Sequence, residues 1–127
     1  MQTVLIVEDT ESSASTLQIA LTTAMNVEVL TARDGNEAWQ LLSDGRNQIS
    51  ALVTDLHMPG MDGFELIERV RSHAAHPTLP IVVISGCTDP KTPERLRQMG
   101  ANAFFAKPYS PAHLREKLEQ LLHANQT

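Results

Sequence analysis

The segment that decides the fold of this chain is Leu52-Val53-Thr54-Asp55-Leu56-His57-Met58-Pro59-Gly60-Met61-Asp62-Gly63. It starts as an apolar run, ends abruptly at Asp55 and continues into turn residues. This pattern is typical of a buried strand, so we expect Asp55 at the carboxyl tip of that strand. Ligands bind at this edge of an open parallel sheet. Two interpretations of Asp55 stay open here, because an Asp that leads into a turn also bonds its own backbone.

The composition describes a chain of ordinary globular size with an acidic balance. Its 127 residues predict one domain, residues 1–127, with a core that needs neither disulfides nor a structural metal. Ten Lys and Arg against fifteen Asp and Glu give a formal charge of −5, which disfavours a nucleic-acid surface. We therefore expect protein or cation partners, and neither nucleic acid nor a membrane.

Cysteine content and hydropathy indicate the compartment. The single Cys87 excludes an internal disulfide, and no apolar run approaches the roughly 20 residues that cross a bilayer. The first residues, Met1-Gln2-Thr3, lack the charged and apolar regions of a signal peptide. We expect a cytoplasmic protein.

Apolar runs alternate with helical patterns along the chain. The expected strands are 3–7, 27–32, 49–56, 81–84 and 101–106, with a helix after each. This alternation predicts parallel pairing, right-handed crossovers and helices on both faces of one sheet. The expected fold is a doubly wound α/β sandwich of five strands and five helices. Helices on both faces also explain why the strands are continuously apolar.

Local signals predict where two of the helices begin. Asn36 is the expected cap of the second helix. The fourth helix has two candidate starts, one just before Pro90 and one with Thr92 as cap before Pro93, and we favour the second. The two prolines predict that this helix is short or displaced.

Polar residues follow the strand tips. In a parallel sheet these tips share one edge, so Glu8, Asp9, Asp55, Ser85 and Lys107 are expected to be neighbours. Three crowded carboxylates raise one another's pKa unless a cation neutralises them. Mg²⁺ suits such a site, because it binds carboxylates and leaves room for phosphate oxygens. A carboxylate flanked by Mg²⁺ and a lysine can attack a phosphoryl group.

In these residues the chain strongly resembles the receiver domain of bacterial two-component response regulators, including the single-domain chemotaxis type. The resemblance covers essentially the whole chain. It rests on four motifs in this order and spacing: Glu8-Asp9, Asp55 in the segment quoted above, Ser85-Gly86 and Lys107-Pro108. It implies a flavodoxin-like sheet with strand order 2-1-3-4-5 and a cis Lys107-Pro108 bond.

The resemblance also implies a phosphoacceptor and a metal site. Asp55 would accept a phosphoryl group from a phosphohistidine on a sensor histidine kinase or a histidine phosphotransfer domain. Glu8, Asp9, Asp55 and the backbone carbonyl of His57 would hold Mg²⁺. The chain would then be a signalling domain and not an enzyme, promoting only its own phosphorylation and slow autodephosphorylation.

A switch is implied as well. Ser85 would bond the phosphoryl group, Lys107 would pair with it, and Phe104 would take the switching aromatic position. A downstream effector protein or output domain would read the surface of the fourth helix, fifth strand and fifth helix. Each residue also has a structural interpretation: Ser85 as a turn residue, Lys107 as a surface lysine and Phe104 as core. Phe105 is expected to face the opposite side of the sheet.

Two residues depart from the usual pattern of the family. His57, two residues after Asp55, and Cys87, two residues after Ser85, occupy positions that flank the path of the hydrolytic water in this family. We hypothesise that both tune the lifetime of the acyl phosphate. The alternative for Cys87 is a small unreactive side chain on a loop.

Three other functions compete with a phosphorylated receiver. A pseudo-receiver would bind proteins without being phosphorylated, which the complete set of acidic and basic residues disfavours. Phosphatases of the haloacid dehalogenase type use an Asp nucleophile with Mg²⁺, but they need a general acid two residues later, where this chain has His57. Flavin binding is disfavoured because no Gly-rich phosphate loop is evident.

Overall fold

The structure is a computed structural model that describes residues 2–73, 76–86 and 89–124. Five strands and five helices alternate along it. They are β1 (Gln2–Val7), α1 (Glu11–Ala24), β2 (Val27–Ala32), α2 (Gly35–Ser43), β3 (Ala51–Asp55), α3 (Gly63–Ser72), β4 (Ile81–Ser85), α4 (Thr92–Met99), β5 (Ala103–Ala106) and α5 (Pro111–Ala124). Among the helices of the described ranges, none is both long and apolar enough to cross a membrane.

All five strands pair in parallel in one sheet, in the order β2-β1-β3-β4-β5. The doubly wound fold and the strand order are therefore confirmed. The register aligns Val7 with Ala32 and Thr54, and Asp55 with Ile84. Because of this alignment, the carboxyl tips of the strands lie along one edge of the sheet.

Two apolar clusters cover the two faces of the sheet. One combines Leu5 and Val7 of β1 with buried residues of α2, α3 and α4, and we call it the α2–α4 cluster. The other combines Val4 and Ile6 with buried residues of α1 and α5, and we call it the α1–α5 cluster. Successive strand residues point to opposite faces, so β1 serves both clusters in alternation.

Burial separates the central strands from the edge strands. Every residue of β3 and β4 is buried, and so is every residue of β1 after Gln2. In β2 only the two end residues are buried, and β5 has no fully buried residue. The prediction that apolar strands are covered on both faces is therefore confirmed for the central strands. The edge strands are partly exposed.

The prediction that Asn36 caps α2 is wrong. The cap is Asp34, whose backbone is extended and whose Oδ1 accepts a hydrogen bond from the Glu37 backbone N–H at 2.8 Å. A side-chain oxygen reaches the backbone N–H three residues ahead, so Asp34 serves that group while Asn36 already lies inside the first turn.

The favoured start of α4 near Pro93 is confirmed, although its cap is not the predicted one. Thr92 is the first helical residue and Lys91 is the N-cap, without a capping side-chain hydrogen bond. A proline fits the first turn because the N–H that it lacks would have no partner within the helix. With 8 residues, α4 is the shortest of the five described helices, as the two prolines predicted.

Two strands are shorter than their apolar runs. β3 spans Ala51–Asp55 instead of 49–56, and β5 begins at Ala103 instead of residue 101. Just before β5, Asn102 bonds Ile81 twice, because its backbone N–H donates to Ile81 O and its Oδ1 accepts the Ile81 N–H, both at 2.8 Å. Asp55 is the last residue of β3, as expected from the sequence.

Candidate functional site

Four strand tips bring the candidate residues to one edge of the sheet. Glu8 follows β1, Asp55 ends β3, Ser85 ends β4, and Lys107 follows β5. Backbone hydrogen bonds extend the pairing beyond the strands, because Lys107 N donates to Ser85 O at 2.8 Å. The predicted cluster is therefore present as a spatial group.

Lys107 joins two acidic residues of this group. Its Nζ lies 2.6 Å from Asp55 Oδ2 and 3.2 Å from Glu8 Oε2. The Lys107 side chain is 33% exposed, whereas the side chains of Glu8 and Asp55 are 1% and 8% exposed. Lys107 is therefore no ordinary surface lysine, since its ammonium group serves two buried carboxylates.

The two carboxylate oxygens of Asp55 have different partners. Oδ1 accepts hydrogen bonds from Leu56 N at 2.7 Å and from His57 N at 3.3 Å. Oδ2 faces Lys107. The interpretation of Asp55 as a turn residue is confirmed through Oδ1, and Oδ2 belongs to the charged cluster, while a functional role of Asp55 stays a prediction.

Glu8 occupies the most buried charged position of the site. Burial raises the pKa of its carboxyl, and the negative charge of Asp55 adds to this, against the lowering effects of the Thr10 N–H and of Lys107. For Lys107, burial acts to lower the pKa of the ammonium group, but the hydrogen bonds and charges of Asp55 and Glu8 raise it on balance. Lys107 therefore stays protonated at neutral pH.

The acidic residues fit a magnesium ion. Glu8, Asp9 and Asp55 each offer a carboxylate oxygen, and these oxygens all lie within 4.8 Å of one another. Glu8 and Asp55 are buried while Asp9 is exposed, which leaves the cluster open to solvent on one side. Lys107 supplies one positive charge against three carboxylates, so a hard divalent cation would complete the balance. Receiver domains generally bind Mg²⁺ at such a cluster.

The predicted switch residues lie beside the cluster. Ser85 is fully buried at the end of β4. Phe104 is partly buried against the α2–α4 cluster, and Phe105 is partly buried against the α1–α5 cluster. The two rings therefore face opposite sides of the sheet, as expected, and the switching role of Phe104 stays a prediction.

Of the two residues that depart from the family pattern, the structure describes only His57. The His57 side chain is exposed, and its backbone N–H contacts Asp55. Cys87 lies outside the described residues. The Lys107-Pro108 bond is cis, as the resemblance implied.

Tyr109 is a residue of the site region that the sequence reading missed. It packs partly buried against the α1–α5 cluster, and burial, with a smaller effect of the Glu8 charge, raises the pKa of its hydroxyl. Together with Glu8 and Lys107 it borders a cavity of about 320 Å³ next to α1. Its position two residues after Lys107, as the single tyrosine of the chain, was the available signal.

The five-stranded parallel sheet and the charged cluster at its edge are those of a receiver domain, and the family comparison agrees. The family model for the response regulator receiver domain matches residues 4–119. The chain therefore belongs to the response regulator receiver domain family. This family serves two-component and chemotaxis signalling, with phosphorylation and Mg²⁺ as standard features. Its members are signalling domains that interact with kinases or phosphotransfer proteins and with effectors.

Individual relatives place the chain beside chemotaxis regulators. It is 33% identical over 120 residues to the chemotaxis protein CheY homolog of Campylobacter jejuni, covering 93% of this chain and 90% of that protein. It is 33% identical over 123 residues to the chemotaxis protein CheY1 of Helicobacter pylori, covering 95% and 97%. The solved chemotaxis response regulator CheY4 of Vibrio cholerae superposes with a TM-score of 0.85 at 30% identity, covering 95% of this chain and 98% of that chain.

Proposed function

We propose that this chain is a phosphoacceptor switch of a two-component system. Asp55 receives a phosphoryl group from a phosphohistidine on a sensor histidine kinase or a histidine phosphotransfer domain. The observation that supports this most directly is Lys107 Nζ, which lies within hydrogen-bond distance of both Asp55 and Glu8 at the open edge of the sheet. A buried carboxylate with an adjacent fixed cation is what phosphoryl transfer to an aspartate requires.

The transfer exchanges one bond to phosphorus for another. A carboxylate oxygen of Asp55 forms a P–O bond while the P–N bond to the donor imidazole breaks, and the imidazole leaves with the electron pair. Mg²⁺ held by Glu8, Asp9, Asp55 and the His57 carbonyl would supply positive charge for the phosphoryl oxygens. The N–H groups of Leu56 and His57 keep the Asp55 carboxylate oriented through Oδ1.

The product needs partners of its own. An acyl phosphate adds roughly −1.5 to −2 charges to a cluster of carboxylates. Lys107 would transfer its hydrogen bonds from Asp55 to the phosphoryl oxygens, and the Ser85 hydroxyl would donate a second bond. These two contacts stabilise the phosphorylated state selectively, because neither exists in the protein before a phosphoryl group reaches the site.

The same two contacts would drive the switch. Movement of Ser85 toward the phosphoryl group opens space that lets Phe104 turn inward, which changes the surface formed by α4, β5 and α5. A downstream effector protein or output domain reads that surface. A shift from 1:99 to 99:1 requires about 5.5 kcal/mol in favour of the active form. Charge-assisted hydrogen bonds of about 1.5–3 kcal/mol each supply much of this.

The signal would end by slow autodephosphorylation. We propose that His57 and Cys87 set its rate, since their positions flank the path of the attacking water. We further propose that residues 1–127 act as one receiver domain. A single cysteine in the chain suits the reducing cytoplasm, where we place the reaction.

Beryllofluoride binding tests the proposal, because this anion mimics a phosphoryl group on an aspartate. Wild type with Mg²⁺ and beryllofluoride is expected to show chemical-shift changes at Ser85 and along α4 and β5. Asp55→Asn is expected to show none, since the amide cannot complete the adduct. Glu68→Gln removes one exposed carboxylate from α3 and is the matched control, expected to respond as wild type does.

The alternatives are separate outcomes of this experiment. A wild-type protein that does not respond to Mg²⁺ and beryllofluoride would indicate a pseudo-receiver that binds partners without phosphorylation. Turnover of small phosphate esters by wild type, lost in Asp55→Asn, would instead indicate an Asp-nucleophile phosphatase.

A further inference from the structure

The first turn of α2 packs against the loop that joins β3 to α3, residues 56–62. This loop includes His57, whose carbonyl is a proposed metal ligand, and it follows directly after Asp55. α2 itself contributes no residue to the proposed site. Its contact with the loop involves no α2 residue that has a role in the proposed function.

Gly35, the first residue of α2, lies too close to the loop for any side chain. A Cβ placed on Gly35 would overlap the Met61 carbonyl oxygen and lie 2.9 Å from Met61 Cβ. The overlap involves backbone atoms, so a change of side-chain rotamer would not relieve it. Gly45, just beyond the other end of α2, has no atom within 4 Å of such a Cβ. The close approach is therefore specific to the end of α2 that faces the loop.

The next residue of α2 makes a second contact with the loop. The Asn36 side chain lies beside Gly60, where a Cβ would be 3.1 Å from Asn36 Nδ2. Gly60 has a φ of 74°, a backbone conformation that favours glycine. Two consecutive residues of α2 thus face two consecutive residues of the loop, and the surfaces are complementary.

The loop is tied directly to the phosphoacceptor. At its carboxyl end, Gly63 N donates to Leu56 O at 2.8 Å. At its amino end, the N–H groups of Leu56 and His57 bond Asp55 Oδ1. Between these points Met61, 4% exposed, holds the loop in the α2–α4 cluster. A shift of Met61 would therefore move the backbone that carries the His57 carbonyl.

We infer that Gly35 is a positioning residue for the phosphorylation site, because its missing side chain lets α2 hold the β3–α3 loop in the geometry that binds Mg²⁺. Gly35 acts through Met61 and touches neither the metal nor the phosphoryl group. The inference rests on the proposed function, in which Asp55 and the His57 carbonyl bind Mg²⁺.

Calorimetric titration with Mg²⁺ tests this inference on the folded chain. Gly35→Ala is expected to weaken Mg²⁺ binding by about tenfold or more, as expected when a group that orients a metal ligand is disturbed. Gly45→Ala, the matched control, is expected to bind Mg²⁺ as wild type does. Urea unfolding without Mg²⁺ is measured in parallel. A purely structural role of Gly35 would lower stability and leave the Mg²⁺ affinity of the folded protein unchanged.

Asn36→Ala provides a second variant that adds no atoms and therefore creates no overlap. It is expected to weaken Mg²⁺ binding in the same direction, by a smaller factor. Wild-type Mg²⁺ affinity in folded Gly35→Ala, or in Asn36→Ala if Gly35→Ala does not fold, would overturn the inference while leaving the proposed function intact. Absence of Mg²⁺ binding in wild type itself would overturn the proposed function and the inference together.

Discussion

The central strand β3 and the edge strand β5 both contribute to the candidate site, but they differ in how deeply they are buried. β3 is buried along its whole length, and Asp55 at its tip has hydrogen-bond partners on both carboxylate oxygens. β5 has no fully buried residue, and Phe104 within it is only partly covered. The proposed acceptor thus lies on a fully buried strand, and the proposed switch residue on a partly exposed one.

This difference in burial suits the two proposed roles, phosphoryl acceptor on β3 and switch residue on β5. A phosphoryl acceptor needs fixed geometry, which dense packing on both faces provides. A switch needs two arrangements of similar free energy, which a half-exposed strand with fewer contacts allows. Lys107 follows β5 and bonds Asp55 of β3, so it connects the partly exposed edge strand to the buried central strand.

Removal of the connecting cation should have the largest effect. Lys107→Met is expected to slow phosphorylation by a small-molecule phosphodonor about 10²-fold, because the charge that develops on the phosphoryl oxygens loses its fixed partner. Phosphorylation is followed by mass spectrometry. Lys117→Met, which removes a lysine of α5 without a role in the site, is the control. An unchanged rate in Lys107→Met would contradict a role of the Lys107 charge in phosphoryl transfer.

The two phenylalanines of β5 distinguish a switch from a core residue. Phe104→Ala and Phe105→Ala are each expected to lower the free energy of unfolding by about 1–2 kcal/mol, since both rings are partly buried. Only Phe104→Ala should alter the chemical-shift response of α4 to beryllofluoride. Equal responses in the two variants would show that Phe104 is merely a part of the core.

The pH dependence of stability tests the role of Glu8, which lies in the buried part of the site. Burial raises the pKa of Glu8, so without metal the folded state holds a proton more tightly than the unfolded state does. Its contribution to stability is present below the unfolded-state pKa of about 4.5 and is lost as pH rises through the folded-state pKa. Glu8→Gln should remove this pH dependence and stabilise the metal-free protein at pH 7 by about 1–2 kcal/mol.

Added Mg²⁺ gives the control for Glu8. The ion should stabilise wild type at pH 7 more than it stabilises Glu8→Gln, because the amide is a weaker ligand than a carboxylate. Urea unfolding at several pH values, with and without Mg²⁺, measures both effects. A wild-type protein whose metal-free stability rises across the same pH window would contradict the role of Glu8.

The smallest effect is expected at the exposed rim of the site. His57→Asn is expected to speed dephosphorylation on the order of threefold, less than 1 kcal/mol, because a smaller side chain opens the path of the water. Cys87→Glu is expected to speed it as well, by offering an acceptor for that water. Decay of phosphorylated protein after removal of the phosphodonor measures both rates. Rates equal to wild type in both variants would refute tuning by these positions.

The sequence allowed the central fold and the charged cluster to be predicted, because both depend on local signals. Continuous apolar runs revealed the strands, and the polar residue after each run marked its tip. The partial exposure of β2 and β5 was not predictable, since position in the sheet depends on pairing and not on apolarity. Strand order came from family resemblance alone.

Contacts between segments that are distant along the chain could not be predicted from the sequence either. Nothing in the sequence connects Gly35 to Met61. The sequence predicted Asn36 as the cap of α2, whereas the backbone geometry assigns Asp34 to that position. The two roles of the Asp55 carboxylate also required coordinates, because a sequence does not show that each oxygen has its own partner.

The ammonium group of Lys107 already has two anionic neighbours before any donor arrives. In the proposed switch, Lys107 would therefore exchange its carboxylate partners for the phosphoryl group. The ion pair of the unphosphorylated protein would then set the free energy that the contacts of the phosphoryl group must exceed. A weaker resting pair would make such a protein more sensitive, and also more prone to respond when no stimulus is present.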